Sequence, residues 1–344
     1  MFAASLALAQ GTTPSGITPE GPLLQRVWHL GRVTGDLHRI VEFYHDLLGL
    51  QLRGTRGPIA FYSVPAINEF VNAPSRAEFR AAFMPIQGTS AAAAAQDQIY
   101  LEAFEYRNID RRQAVPSLTS PGASSLRLIV RDLDGVVAAA KRAGASILTR
   151  GGEPVAVPPP AGRPGTARAI VIRDPDGYPV ELMQIVPEPP TLAPEGSPVL
   201  GAQMTVVVAN IDVSLAFYRR LAGPGLLADS PSGWSTSAPV SRLRDIPDAA
   251  HRTAAIRLPG SAIALELVEY RGIPQSPYRP VFQDIGHAHV AFLVDDIQET
   301  VDRLTAAGAV ALSRSGTWTR INPTTRAVYT RDPDGFFLEI LERR

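Results

Sequence analysis

Four short apolar runs along the chain each hold a single glutamate. They read "YLEAF" around Glu102, "VELMQ" around Glu181, "ALELV" around Glu266 and "FLEIL" around Glu339. Runs of this length, rich in β-branched and aromatic residues, predict strands with at least one buried face. A second set of runs, such as "HVAFLV" from His289 to Val294, is apolar on both faces, which predicts central strands. Each of these leads into an Asp or Asn: Asp36, Asp132, Asn210 and Asp296. Such residues cap helices by accepting an orphan backbone N–H. Apolar residues at helical spacing follow, for example Leu37, Ile40, Val41, Tyr44, Leu47 and Leu48. Glycines near the helix ends (Gly49, Gly144, Gly223, Gly308) supply stop signals.

The pattern repeats. "LEAFEYR" from Leu101 matches "LELVEYR" from Leu265, and the match continues without a gap into the next predicted strand. "RDPDG" from Arg173 recurs from Arg331. The chain is therefore a tandem duplication, and each half is itself double. The predicted unit is βαβββ, four times over, an α+β fold class. The Pro-rich stretch 187–198 is the expected linker, separating a first domain of two modules (22–186) from a second (199–344). Residues 65–97 and 231–253 are longer, irregular inserts, expected to be either covers over a cleft, the preferred reading, or tolerated surface loops.

Composition narrows the chemistry. There is no cysteine, so disulfides, thiolate metal ligands and cysteine nucleophiles are excluded. Lys plus Arg equals Asp plus Glu, 33 each, which predicts neither a nucleic-acid nor an anionic-membrane partner. No apolar run reaches the roughly 20 residues needed to span a bilayer. Residues 1–21, beginning "MFAASLALAQ", carry "ALA" before Gln10 in the A-x-A form of a signal-peptidase site, without a positive n-region. The segment is expected to be an export-signal remnant or a disordered terminus, and a periplasmic or secreted location is preferred to a cytoplasmic one.

Counting back from each helix cap to the start of the preceding strand gives His29, Ser125, Gln203 and His289. Taken singly, a histidine or glutamate in a strand is an ordinary core or surface residue. As a set they carry more weight. Buried charges are normally paired or bound to a metal, and no Lys or Arg recurs at a matching place in these strands. Two carboxylates with two neutral ligands would balance one divalent cation.

On these residues, together with Phe43, Tyr44, Leu48 and Gly49 at the first helix end and the "DPDG…E" phrases, the chain resembles the vicinal-oxygen-chelate superfamily. That superfamily includes glyoxalase I, methylmalonyl-CoA epimerase, extradiol dioxygenases and bleomycin- or fosfomycin-resistance proteins. The resemblance runs from about Val27 to the end. It implies that paired modules curve around a cup with a metal at its floor. If modules three and four pair, the implied ligands are Gln203, Glu266, His289 and Glu339. If modules one and four pair, they are His29, Glu102, His289 and Glu339. A second site would be poorer, since Ser125 is a weak ligand. The implied cofactor is Zn, Ni, Mn, Fe or Co.

The implied activity is that of a lyase or isomerase. A substrate with adjacent oxygens would chelate the ion, and Glu339, or Glu266 across the cup, would move a proton. Tyr329 would contact the substrate. A metal-free binding protein of the bleomycin-resistance type is the alternative. Ring cleavage is disfavoured, because the dioxygenase signature wants a histidine where this chain has "TRINPTT", with Arg320 and Asn322. Four modules can complete a site within one chain, so both a monomer and a homodimer fit.

Overall fold

The computed structural model describes residues 23–54, 59–86, 99–160, 163–223, 226–257, 261 and 263–344. The candidate export segment and part of the first insert (87–98) lie outside these residues. Four modules follow one another. The first comprises β1 (Leu24–Thr34), α1 (Leu37–Val41) continuing into a π-helical turn over Glu42–Leu47, α2 (Pro65–Phe70), β2 (Glu78–Ile86) and β3 (Ile99–Arg107). The second comprises β4 (Ser124–Val130), α3 (Leu133–Arg142), β5 (Val155–Val157), β6 (Thr166–Arg173) and β7 (Pro179–Val186). The third comprises β8 (Val199–Val208), α4 (Ile211–Ala222), β9 (Leu227–Ala228), β10 (Ser235–Thr236), α5 (Ala238–Arg244), β11 (Ala250–Arg257) and β12 (Ala264–Arg271). The fourth comprises β13 (Ala288–Val294), α6 (Ile297–Ala306), β14 (Thr319–Asn322), β15 (Thr325–Arg331) and β16 (Phe337–Arg343).

All four expected helix caps form. The side chains of Asp36, Asp132, Asn210 and Asp296 each accept a backbone N–H from the first turn that follows. Removing one such cap costs about 1 kcal/mol. A second acid in three of the last strands reaches the same helices. Glu105 accepts from Leu37 N at 2.8 Å, Glu269 from Ile211 N at 2.8 Å and Glu342 from Ile297 N at 3.2 Å. Each helix is thereby tied to the strand that ends its own sheet half.

The sheets do not follow the linker. One has the order β14-β15-β16-β13-β1-β3-β2, joining the first and fourth modules. The other runs β10-β11-β12-β8-β4-β7-β6-β5, with β9 on β11, joining the third and second. In each, two modules meet through their first strands, β1 with β13 and β4 with β8, both antiparallel. The back faces of both sheets and the helices share one large core, including Leu30, Leu126, Met204, Val290 and Ile340. The front faces curl into two cups, each with its own apolar lining.

Both inserts contribute a short helix at a cup. In the first, α2 supplies Ile67 and Phe70 to the cavity wall; in the second, α5 supplies Val240, Leu243 and Arg244 to the other.

The two Asp-Pro-Asp-Gly turns are buried and differently neutralised. Asp174 accepts backbone N–H bonds from Asp176 and Tyr178 and a salt bridge from Arg32 on β1, at 2.5 Å. Asp332 accepts the equivalent backbone bonds from Asp334 and Phe336, and Tyr218 Oη at 3.2 Å. Where Arg32 stands in the first module, the third has Val206. Burial, reinforced by the Asp334 carboxylate, pushes Asp332 up to about 7.

Two expectations follow from this packing. Because the folded pKa of Asp332 lies above its unfolded value, its stabilising contribution is in full below about pH 4 and is lost as pH rises through about 7. Asp332→Asn should therefore flatten the fall in unfolding free energy between about pH 4 and pH 7, a slope approaching about 1.4 kcal/mol per pH unit, in denaturant titrations. Separately, Gly31 on β1 faces His289 on β13, and a Cβ there would lie 1.9 Å from the His289 ring. Gly31→Ala should cost about 1–3 kcal/mol in the same assay, through a forced shift of that ring.

Candidate metal centre

The floor of the first cup is assembled from strand faces. Strand alternation puts His29, Gly31 and Val33 of β1 on the cup side, with His289, Ala291 and Leu293 of β13 and Phe337, Glu339 and Leu341 of β16. The register places Ala291 beside both His29 and Glu339, and Gly31 beside both His289 and Glu102. Small residues at 31 and 291 leave open the space into which the four polar side chains lean.

Those side chains converge. His29 Nε2 lies 2.9 Å from Glu339 Oε2, 3.1 Å from Glu102 Oε2 and 3.2 Å from His289 Nε2. His289 Nε2 lies 3.3 Å from Glu339 Oε2. Tyr329 Oη completes the group, 2.9 Å from Glu339 Oε2 and 3.1 Å from His289 Nε2. His29, Glu102, His289 and Glu339 are all buried. Among the described residues, His29, His289 and Glu339 form the group whose ligating atoms fall mutually within 4.8 Å.

This donor set fits a divalent ion. For metal–ligand bonds of about 2.1 Å, ligand–ligand edges run from about 3.0 Å in an octahedron to about 3.4 Å in a tetrahedron. The observed separations, 2.9 to 3.3 Å, fall close to that range. Two imidazole nitrogens 3.2 Å apart can share at most one proton between them, so facing lone pairs are a poor arrangement without a cation. Two carboxylates and two neutral imidazoles cancel a charge of +2. One feature of a metal histidine is missing: His289 Nδ1 has no hydrogen-bond partner, where ligating imidazoles normally donate to a second group.

Without an ion, the four groups settle by sharing protons. Burial alone would lower the His29 pKa, but Glu102 and Glu339 outweigh it and the net shift is upward. Burial lowers His289, with Glu339 opposing and His29 reinforcing. Burial would raise Glu339, yet the two imidazoles hold it at about 2. Burial pushes Glu102 up to about 7, partly offset by His29. The two acids thus have separate characters: Glu339 is held ionised and Glu102 is poised near neutrality.

Above this floor lies a cavity of about 370 Å³. Its walls are largely aromatic, with Trp28, Phe70, Phe79, Tyr106, Phe282 and Tyr329 among them. Phe70 of the insert helix stacks on Tyr329 with ring centroids 4.4 Å apart. Arg53 and Arg343 stand at exposed positions on the lining.

The remaining expected ligands are elsewhere. Gln203 and Glu266 belong to the second cup, with Glu181 and Ser125, so the set Gln203, Glu266, His289 and Glu339 is not assembled. Glu266 does not face Glu339 across a cup, because β13 takes β1 rather than β8 as its antiparallel neighbour. Glu266 is instead ion-paired to Arg127 at 2.9 Å. An arginine inside a strand thus neutralises acids that the repeat pattern alone left without a protein partner. Gly31 and Arg127 were the residues that sequence reasoning missed. A lone glycine within the apolar strand "HLGRV" is a signal of close side-chain approach, and an arginine in "SSLRLIV" implies a buried acid beside it.

The model of the Glyoxalase/Bleomycin resistance protein/Dioxygenase superfamily matches residues 26–182 and 202–340. No curated protein matches the chain. Among solved structures, glyoxalase I from Zea mays is similar at 18% identity and a TM-score of 0.55, covering 92% of this chain and 92% of that one. A single-residue variant of the same enzyme gives 19% identity and a TM-score of 0.57, over 92% and 94%. A putative dioxygenase from Bacillus subtilis gives 12% identity and a TM-score of 0.50, over 94% and 86%. These likenesses concern the fold. With both halves matched by the family model, the chain belongs to the glyoxalase/bleomycin resistance protein/dioxygenase superfamily.

Proposed function

We propose that this chain is a metal-dependent lyase or isomerase of the glyoxalase type, acting in the first cup on a small substrate with neighbouring oxygens. The observation that carries the reading is the convergence of His29, His289, Glu339 and Glu102 on one buried point. His29, His289 and Glu339 would hold the ion, with Glu102 at its edge. When bound, a divalent ion supplies Lewis-acid polarisation of a substrate carbonyl.

The protein's own groups supply the rest. Glu102, beside the His29 imidazole on the cavity lining, is the carboxylate placed to accept and return a substrate proton as a general acid–base group. Glu339, within reach of both imidazoles and of Tyr329, is placed to serve as a ligand. We assign the proton-moving role to Glu102 in preference to Glu339, while Glu266 stands in the second cup. Tyr329 donates to Glu339 and fixes its orientation. The aromatic walls exclude water and favour a substrate with an apolar body.

A second reading has its own support. Two histidines and one carboxylate are the ligand set of non-haem Fe(II) oxygenases, and aromatic walls suit a catechol. Against it, Arg320 and Asn322 occupy the stretch where the ring-cleaving signature has its histidine.

Protein purified without chelator should contain a divalent metal, and chelation should abolish turnover on α-hydroxycarbonyl compounds, followed by solvent-deuterium exchange. Glu339→Gln should lose metal and activity together. Glu102→Gln should stay folded, keep most of its metal and lose about 10²- to 10⁴-fold in turnover. Metal-free protein that still binds its ligand would instead support the sequestering class, and oxygen uptake with catechols would support the second reading.

A further inference from the structure

The second cup repeats the geometry of the first with a different solution to the same charge problem. Its floor holds Gln203, Glu266, Ser125 and Glu181, standing where the first cup has His29, Glu102, His289 and Glu339. Two changes there lie on one face of one strand, two residues apart. The position of His289 is Ser125, and the position of Ala291 is Arg127. The registers agree: Ala291 pairs with His29 and Glu339, and Arg127 pairs with Gln203 and Glu181. An imidazole has shrunk to a hydroxymethyl, and a methyl has grown into a guanidinium that fills the space.

The guanidinium contacts all three remaining strong donors. Arg127 Nε donates to Glu181 at 2.6 Å, one terminal nitrogen to the Gln203 amide oxygen at 3.0 Å, and the other to Glu266 at 2.9 Å. Arg127 is 5% exposed; its bond to Glu181 is buried, and those to Gln203 and Glu266 are partly so. Arg244, from the insert helix, adds a looser contact to Glu266 at 4.0 Å. The counterpart of Tyr329 is Val171, which cannot hydrogen-bond to Glu181 as Tyr329 does to Glu339.

We propose that Arg127 occupies the cation position of the second cup, so that this cup is a latent divalent-ion site closed by the chain's own guanidinium. The donors it masks are all oxygens, two carboxylates and an amide carbonyl, and Ser125 shares its strand face. That set suits a hard ion such as Mn²⁺ or Mg²⁺, whereas the first cup offers nitrogen and oxygen. The inference does not rest on the activity proposed for the first cup, because its test removes that cup's ligands.

The test uses the full chain carrying His29→Ala and His289→Ala, with Mn²⁺ as the probe in equilibrium dialysis and thermal-shift measurements. With Arg127 intact, no bound Mn²⁺ above background and no thermal shift are expected. Adding Arg127→Ala, which restores the residue present at 291, should create one Mn²⁺ site per chain, and Glu181→Gln should abolish it. Mn²⁺ binding by the Arg127-containing chain that disappears on Glu181→Gln would overturn the proposal. So would a folded Arg127→Ala chain that binds none. If that variant does not fold, the Arg127-containing chain still decides whether the second cup is closed.

Discussion

The two carboxylates at the floor of each curved sheet, buried at Glu102, Glu339 and Glu181 and partly buried at Glu266, impose the constraint around which the front of this molecule is arranged. An isolated charge at such depth costs several kcal/mol, so each pair must meet positive charge or take up protons. In the first cup, the neighbours are two imidazoles and a phenol, whose nitrogens and oxygens face one another at coordination distances. In the second, the neighbour is a guanidinium that bonds to both acids. The backbone is the same in outline, and the difference resides in a few inward-facing side chains. One floor lies beneath an aromatic cavity with its donors facing one another. The other carries its cation covalently.

That difference depends on how the modules pair. Joining β1 to β13 brings the two histidine-bearing modules together, while joining β4 to β8 brings together the two that lack histidine at this position. Pairing by halves would have placed one histidine in each cup, beside unlike partners. The arrangement puts both His29 and His289 at the floor of one cup and Arg127 at the floor of the other. Residues with small side chains complete the division, since Gly31 and Ala291 admit the rings that Thr205 and Arg127 would obstruct. The buried histidine cluster therefore rests on a backbone approach as much as on its own chemistry.

Much of this was legible in the chain. The helix caps, the four strand-borne glutamates and the four-module repeat all rest on local rules of period and capping, and they appear where those rules put them; His29 and Gln203, expected at strand starts, lie in mid-strand because β1 and β8 begin earlier. The inserts were legible as lengths and positions, and their helices stand at the cups. Arg127 and Gly31 were less legible, because neither belongs to a repeating pattern. Each matters through a residue far away in sequence: Glu181, Gln203 and Glu266 for the one, His289 for the other.

By itself the sequence determined the modules, their order, and the polar side chains that point from each strand. Alternation and helical period act within one segment, so they can be read without knowing its neighbours. Which segments become neighbours was decided only in the tertiary structure. The first strands of all four modules carry much the same apolar alternation, and antiparallel pairing of any two would bury similar surface. Only the packing of the whole chain, with both sheets backed on one core, brought His29 to His289 and left Glu266 to Arg127.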